Sequence, residues 1–228
     1  MVDKITSYPS AIIFDWDNTL ADTWNIIHAS LNITFEEMGH EPWSFEDVKS
    51  GRQNIHKSLR TSFPEIFGEE WEKARDIYYD AFKQKHLDEI KPVPGAEEML
   101  ENINDKGIYT AIVSNKTGKY LREEVAHLGW DAYFNAVIGA TDAKRDKPFP
   151  DPVHMAVDGS KINIDNNVWF IGDSSVDIEC ATNTNCLPIL WTKNEKNEEN
   201  YSNYSSVVHV LESYQQLIDV IDKVGSKG

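Results

Sequence analysis

Ala11-Ile12-Ile13-Phe14-Asp15-Trp16-Asp17-Asn18-Thr19-Leu20 decides how this chain is read. A short apolar run bounded by turn formers reads as a buried strand. This one ends in two carboxylates one residue apart, with a hydroxyl two residues further on. Residues i and i+2 of an extended chain point the same way, so Asp15 and Asp17 project together from the strand tip. Like charges held that close repel, and burying them uncompensated costs several kcal/mol or shifts a pKa. A divalent cation relieves the repulsion, and an all-oxygen ligand set selects a hard ion such as Mg²⁺. The competing reading of these residues alone is a polar turn that merely closes a strand.

Outward from this stretch, the chain changes rhythm twice. Across residues 22–91 the pattern is helical: Asp22 and Thr23 start a helix, and Trp24, Ile27, Leu31, Phe35 and Met38 recur at helical spacing until Gly39. A short helix opens at Pro42 to Phe45. Another carries Ile55, Leu59 and Phe63 and is predicted to end at Pro64, and a longer one runs from Trp71 to about Leu87. Lys91, Pro92, Val93, Pro94 and Gly95 then break the chain. Residues 22–91 are thus expected to form a separate all-helical bundle inserted into a core domain of residues 1–21 and 92–228. The joints at 20–23 and 91–95 are its expected hinges.

Beyond residue 95 strands and helices alternate. Helices are predicted at 96–104, 118–128, 152–158, 175–184 and 214–224. Strands are predicted at 109–114, 136–139, 168–171, 187–191 and 207–211, with a polar loop at 193–206. Such alternation argues an α/β core with a Rossmann-like parallel sheet flanked by helices.

Composition narrows the function. With 228 residues, 40% hydrophobic content and seven Trp, the chain can build a substantial core. A formal charge of −16 argues against nucleic-acid or anionic-membrane partners, and requires a local positive patch for any anionic substrate. Cys180 and Cys186 supply neither a disulfide framework nor a zinc signature. The seven His show no ligand-pair spacing and read as surface or packing residues. Without a leader pattern or an apolar run of ~18 residues, a soluble cytoplasmic protein is expected.

In open α/β sheets, ligands bind beyond the carboxyl ends of the strands. The strand tips here present Asp15 and Asp17, then Ser114-Asn115-Lys116. A loop with Lys144, Arg145 and Lys147 follows the third strand, and Gly172-Asp173-Ser174-Ser175-Val176-Asp177 the fourth. Each has an ordinary alternative. Ser114 and Asn115 suit a helix cap, Lys147 a solvated surface, and Asp173 an N-cap with Asp177 on the first turn. Together and in this order they form a site for a metal and a phosphoryl group.

The set D-W-D-N-T, S-N-K, K-P and G-D-S-S-V-D resembles the four motifs of the haloacid dehalogenase-like superfamily. The helical insert is similar to the cap of its phosphoglycolate-phosphatase-like branch. The resemblance covers nearly the whole chain. It implies that Asp15 is a nucleophile forming an aspartyl-phosphate and that Asp17 is the general acid/base. Mg²⁺ would be held by Asp15, the Asp17 carbonyl and Asp173, with Asp177 in support. Ser114 and the Asn115 backbone would bind the phosphoryl group of a small phosphate ester, Lys147 would balance charge, and Thr19 would orient the Asp15 loop beside the substrate. Asn18 and Asn185 stand where the family often has glycine, and asparagine tolerates the positive φ required.

Asp17 favours a phosphatase over a dehalogenase, because an alcohol leaving group needs a proton. A phosphomutase of the β-phosphoglucomutase type shares this core, and a catalytically silent binding protein on the fold is the third alternative. Lys49, Arg52, Lys57 and Arg60 occur within residues 49–60 with no acid among them. Arg52, with Lys57 or Arg60, is the candidate for binding an anionic group such as a carboxylate. The alternative is a solvated basic face paired with neighbouring acids.

Overall fold

A computed structural model gives the fold and describes residues 5–192, 206–207 and 209–226. Strand β1 (Ala11–Phe14) lies at the centre of a six-stranded parallel sheet. Its partners are β4 (Tyr109–Thr117), β5 (Ala136–Ala140), β6 (Val168–Gly172), β7 (Leu187–Trp191) and β8 (His209–Leu211), in the order β5-β4-β1-β6-β7-β8. Phe14 sits opposite both Ile112 and Ile171, so the tips of β4, β1 and β6 end side by side. All four residues of β1 are buried, and they alternate between two cores. Ile12 and Phe14 pack on one face of the sheet, Ala11 and Ile13 on the other. This two-sided burial explains the unbroken apolar run.

Helices α6 (Ala96–Asp105), α7 (Gly118–His127) and α10 (Tyr214–Gly225) supply the first core. Helices α8 (Asp151–Val157) and α9 (Ser175–Asn183) cover the second. Predicted bounds of these helices hold to within a residue or so at each end. Of the predicted 207–211 strand, His209–Leu211 is strand; residue 208 and most of the expected 193–206 loop lie outside the described residues.

The residues after β1 leave the sheet through β2 (Ala21–Asp22), which pairs antiparallel with β3 (Lys91–Pro92). Both expected hinge segments therefore meet in one two-stranded ribbon, a pairing the sequence reading did not include. Between its strands lie α1 (Trp24–Glu37), α2 (Phe45–Lys49), α3 (Leu59–Phe67), α4 (Trp71–Lys83) and α5 (His86–Glu89).

Two expectations in this insert need correction. Pro64 does not end its helix but lies inside α3, which starts at Leu59 and leaves Ile55 outside; Gly68, at φ 55°, ends it. Continuing past the proline buries Phe67 beside Phe63 and Phe35, with ring centroids 5.1 and 5.4 Å apart, which offsets the lost main-chain bond. The single helix expected from Trp71 to Leu87 is broken between α4 and α5. Cys180 and Cys186 are buried free thiols. Among the described residues, no helix is long and apolar enough to cross a membrane.

Candidate active site

Four adjacent strands of the sheet each deliver one part of the site, and the chain reverses its direction across the sheet at β1. Asp15 follows β1, and its N–H still bonds to Ile171 O at 2.9 Å, so it stays fixed to β6. Asn18 then takes φ 60° and turns the chain, with its N–H on Ala21 O. Trp16 O also bonds to Ala21, and the Asp17 carbonyl takes no part in this pairing.

Asp15, Asp173 and Asp177 place carboxylate oxygens within 4.8 Å of one another. Gly172 permits this approach, because a Cβ there would lie 2.4 Å from Asp177 Cβ. Ser174, rather than Asp173, caps α9, and its N–H and hydroxyl both donate to Asp177 Oδ2. The other Asp177 oxygen accepts from Lys147 Nζ at 2.6 Å, and the same ammonium donates to Asp15 Oδ1 at 2.6 Å. Lys147 is almost fully buried, so it is no solvated surface charge. Burial alone would favour its neutral form, but Asp15 and Asp177 overcome this and raise its pKa. Burial pushes the Asp15 carboxyl up to about 7 against the pull of Lys147. Burial, followed by the charges of Asp15 and Asp177, raises Asp173 well above the usual range. One ammonium among three carboxylates leaves net negative charge, and such a cluster of hard oxygen donors fits a small divalent cation such as Mg²⁺.

Ser114 and Asn115 do not cap α7; Thr117 does. Ser114 is buried and lines a cavity of about 110 Å³ together with Asp15, Asp17, Asn115, Lys147 and Asp173. Asn115 Nδ2 donates to Lys147 O and to His56 O, tying the Lys147 loop to the insert.

Thr19 and Arg52 are not brought to this cavity. Thr19 is fully buried beneath the loop; its carbonyl accepts from the Tyr214 hydroxyl, and its own hydroxyl has no partner among the described residues. Arg52 is exposed, pairs with Asp47 at 3.0 Å and covers the Trp43 ring. That is the solvated, acid-paired arrangement rather than a substrate contact.

A haloacid dehalogenase-like hydrolase family matches residues 12–190. The chain belongs to that family. Its sequence is 29% identical over 187 residues to a phosphoglycolate phosphatase from Neisseria meningitidis, covering 78% of each chain. It is 29% identical over 189 residues to the pyrophosphatase PpaX of Listeria monocytogenes, covering 82% of this chain and 83% of the relative. A superfamily hydrolase from Ehrlichia chaffeensis superposes with a TM-score of 0.66 at 29% identity, over 96% of this chain and 98% of that one. Within the haloacid dehalogenase-like hydrolases, this chain is a phosphatase-type enzyme of the branch that resembles phosphoglycolate phosphatase.

The sequence reading did not include several interactions around the site of this hydrolase. Lys116 Nζ lies 2.6 Å from Asp17 Oδ1 and donates to Glu124 Oε2, also at 2.6 Å. Glu124 is fully buried and accepts in addition from Trp16 Nε1 at 2.6 Å, while His86 Nδ1 lies 3.1 Å from its other oxygen. Burial pushes Glu124 up, yet Lys116 and the hydrogen bonds from His86 and Trp16 hold it below the ordinary carboxylate range. Asp17 Oδ1 also accepts from the Thr23 hydroxyl at 2.7 Å. His86 is a core residue, as expected of the histidines, whereas His56 lines the cavity. Asp146, beside Lys147, is buried and binds Ser58 and Arg60 of the insert.

Proposed function

We propose that this hydrolase is a Mg²⁺-dependent phosphatase of small phosphate monoesters, phosphoglycolate first among them, acting through an aspartyl-phosphate on Asp15. The observation that carries the proposal is the double ion pair of Lys147 with Asp15 and Asp177 at 2.6 Å, beside Asp173 and facing Ser114 across one cavity. The relatives, a phosphoglycolate phosphatase and a pyrophosphatase, support the substrate class.

In this reading, an Asp15 carboxylate oxygen attacks phosphorus in line with the ester oxygen. The P–O bond to the alcohol breaks, and Asp17 gives its proton to the departing oxygen. Asp17 then takes a proton from water as that water attacks phosphorus and displaces Asp15, which releases inorganic phosphate. The Ser114 hydroxyl and the Asn115 main chain position the phosphoryl oxygens. Lys147 holds positive charge against the nucleophile throughout. Asp15, the Asp17 carbonyl and Asp173 would hold Mg²⁺, with Asp177 beside them. When bound, the ion supplies charge neutralisation between the carboxylate and the phosphoryl group. The helical insert acts as a cap that excludes water during the first displacement.

Turnover of p-nitrophenyl phosphate with Mg²⁺ tests the proposal. Asp15→Asn is expected to lower kcat at least a thousand-fold, and chelation of divalent ions to abolish turnover. Wild-type activity that survives both Asp15→Asn and chelation would end this reading.

A further inference from the structure

The basic residues of the 49–60 segment have different fates in the fold. Arg52 is spent on Asp47, and Arg60 on Asp146. Lys49 stands outside the cavity lining and has an interaction partner. Lys57 lines the cavity. Two other lysines line it as well, and both are engaged: Lys147 by Asp15 and Asp177, Lys116 by Asp17 and Glu124. Among the described residues, no carboxylate lies within ion-pair distance of Lys57. In a chain with net charge −16, a half-buried lysine at a substrate cavity without an acidic partner has an unmet demand for an anion.

The main chain on either side of Lys57 is also fixed. On one side, the His56 carbonyl accepts from Asn115 Nδ2 at 3.2 Å, and the same amide reaches Lys147 O. On the other side, Ser58 and Arg60 both bind Asp146, next to Lys147. The neighbours of Lys57 are therefore pinned to the loops that carry the proposed phosphoryl site. Such pre-organisation distinguishes a binding group from a mobile surface charge.

His56 adds a second sign of an absent ligand. Its Nε2 is buried with no partner among the described residues, in a ring that lines the same cavity and packs 5.8 Å from Trp24. The other side of the ring faces the main chain, since a Cβ on Gly51 would lie 3.1 Å from Nδ1. Main-chain groups of Val48 and Lys49 lie beside the ring, and with the ring hydrogen on that side the buried Nε2 is an acceptor for a hydroxyl or a water beside the anion.

We infer that Lys57 is the specificity-determining residue of this enzyme, pairing with a second anionic group on the leaving group of a short phosphate ester. The inference rests on the phosphatase reading above for the placement of the phosphoryl group. At about 110 Å³ the cavity suits a small ester, and Lys57, Ser114 and Lys147 all line it, so a phosphoryl group and a second anion can both be held there. A carboxylate and a second phosphoryl group share this chemistry.

Binding calorimetry with non-hydrolysable ligands separates the possibilities. The full-length protein is loaded with Mg²⁺ and titrated with 3-phosphonopropionate, with propylphosphonate, which lacks the carboxylate, and with methylenediphosphonate. Wild type is expected to bind one of the doubly anionic ligands at least ten-fold more tightly than propylphosphonate. The tighter of the two identifies carboxylate or phosphoryl as the second anion. Lys57→Met is expected to lose that preference and Lys57→Arg to keep most of it. Equal affinities in wild type, or a preference that survives in Lys57→Met, overturn the assignment. A preference that vanishes in Lys57→Met, in a protein that turns over no phosphate ester, would keep the anion site and overturn the phosphatase reading instead.

Discussion

Asp15 and Asp173 bear the electrostatic strain of this site, and it has a sign that can be measured. In the unfolded chain Asp15 loses its proton near its ordinary value of 3.8, whereas in the fold burial keeps it protonated to about 7. Between these values the folded state holds more protons, so stability falls as pH rises from about 4 to about 7. Asp173 is raised for the same causes and acts in the same direction. A bound cation needs these carboxylates ionised, so protons compete with it. We therefore expect MgCl₂ to raise Tm more at pH 8 than at pH 5.5. At a hundred-fold excess over Kd the gain at pH 8 is about 2.7 kcal/mol, or roughly 5–10 °C for a chain of this size. Differential scanning fluorimetry checks this; a Mg²⁺ shift equal at both pH values, or absent at both, contradicts it. The residues behind this effect were legible in the sequence because each ends an apolar run, where geometry leaves little freedom. Lys116 was in view at such a tip, but its role was not, since its partner Glu124 lies inside a helix whose register on the sheet the sequence does not print. Thr19 and Arg52 show the reverse: motif position and charge suggested contact, and burial beneath the loop or pairing with Asp47 took them elsewhere.

At the scale of elements, α7 does more than cover the sheet. Glu124, on its inner face, collects Trp16 from the β1 loop, Lys116 from the tip of β4 and His86 from α5. Lys116 is shared between Glu124 and Asp17, so the helix sets how firmly the proposed acid/base is held. Glu124→Gln removes one of the two charges that divide the ammonium and shifts Lys116 toward Asp17. Proton delivery to a poor leaving group should then suffer most, because p-nitrophenolate departs with little need of a proton. The expected result is at least a ten-fold larger loss of kcat on an alkyl phosphate than on p-nitrophenyl phosphate. Equal losses on the two esters would reduce Glu124 to a structural role. Glu124→Ala should also lower Tm by roughly 6–20 °C, since removing one member of a buried charged network costs ~3–5 kcal/mol. Helix and strand types were readable here from periodicity, but this network was not. Trp16 and Glu124 are 108 residues apart, and only the packing of α7 on β1 and β4 brings them together. Pro64 was misjudged for a related reason: the aromatic burial that carries α3 past it is a tertiary effect.

For the whole molecule, the alternation of strands and helices determined the parallel sheet, and the right-handed crossover rule left few ways to order it. How the insert rests on that sheet was not legible, because those contacts join side chains that no local pattern pairs. The structure holds the insert down at several points: the Tyr79 hydroxyl meets Thr117, Asn115 meets His56, and Asp146 receives both Ser58 and Arg60. Arg60 gives Asp146 two hydrogen bonds of 2.5 Å, a fork that an arginine matches well and a lysine does not. If the insert is a cap hinged on the β2–β3 ribbon, this fork is its clasp, and breaking it should favour the open form. Arg60→Ala is the cleaner variant, since Asp146 adjoins Lys147 and also accepts from the Thr141 N–H. Its expected signature is faster amide exchange over residues 56–60 with unchanged protection in β1, together with a several-fold higher KM for small esters. Adding Asp146→Ala should speed exchange over 56–60 further, because it also removes the hydrogen bond from Ser58. Wild-type exchange over 56–60 in Arg60→Ala would show that the insert is held closed by its apolar contacts alone, and that the fork contributes nothing to closure.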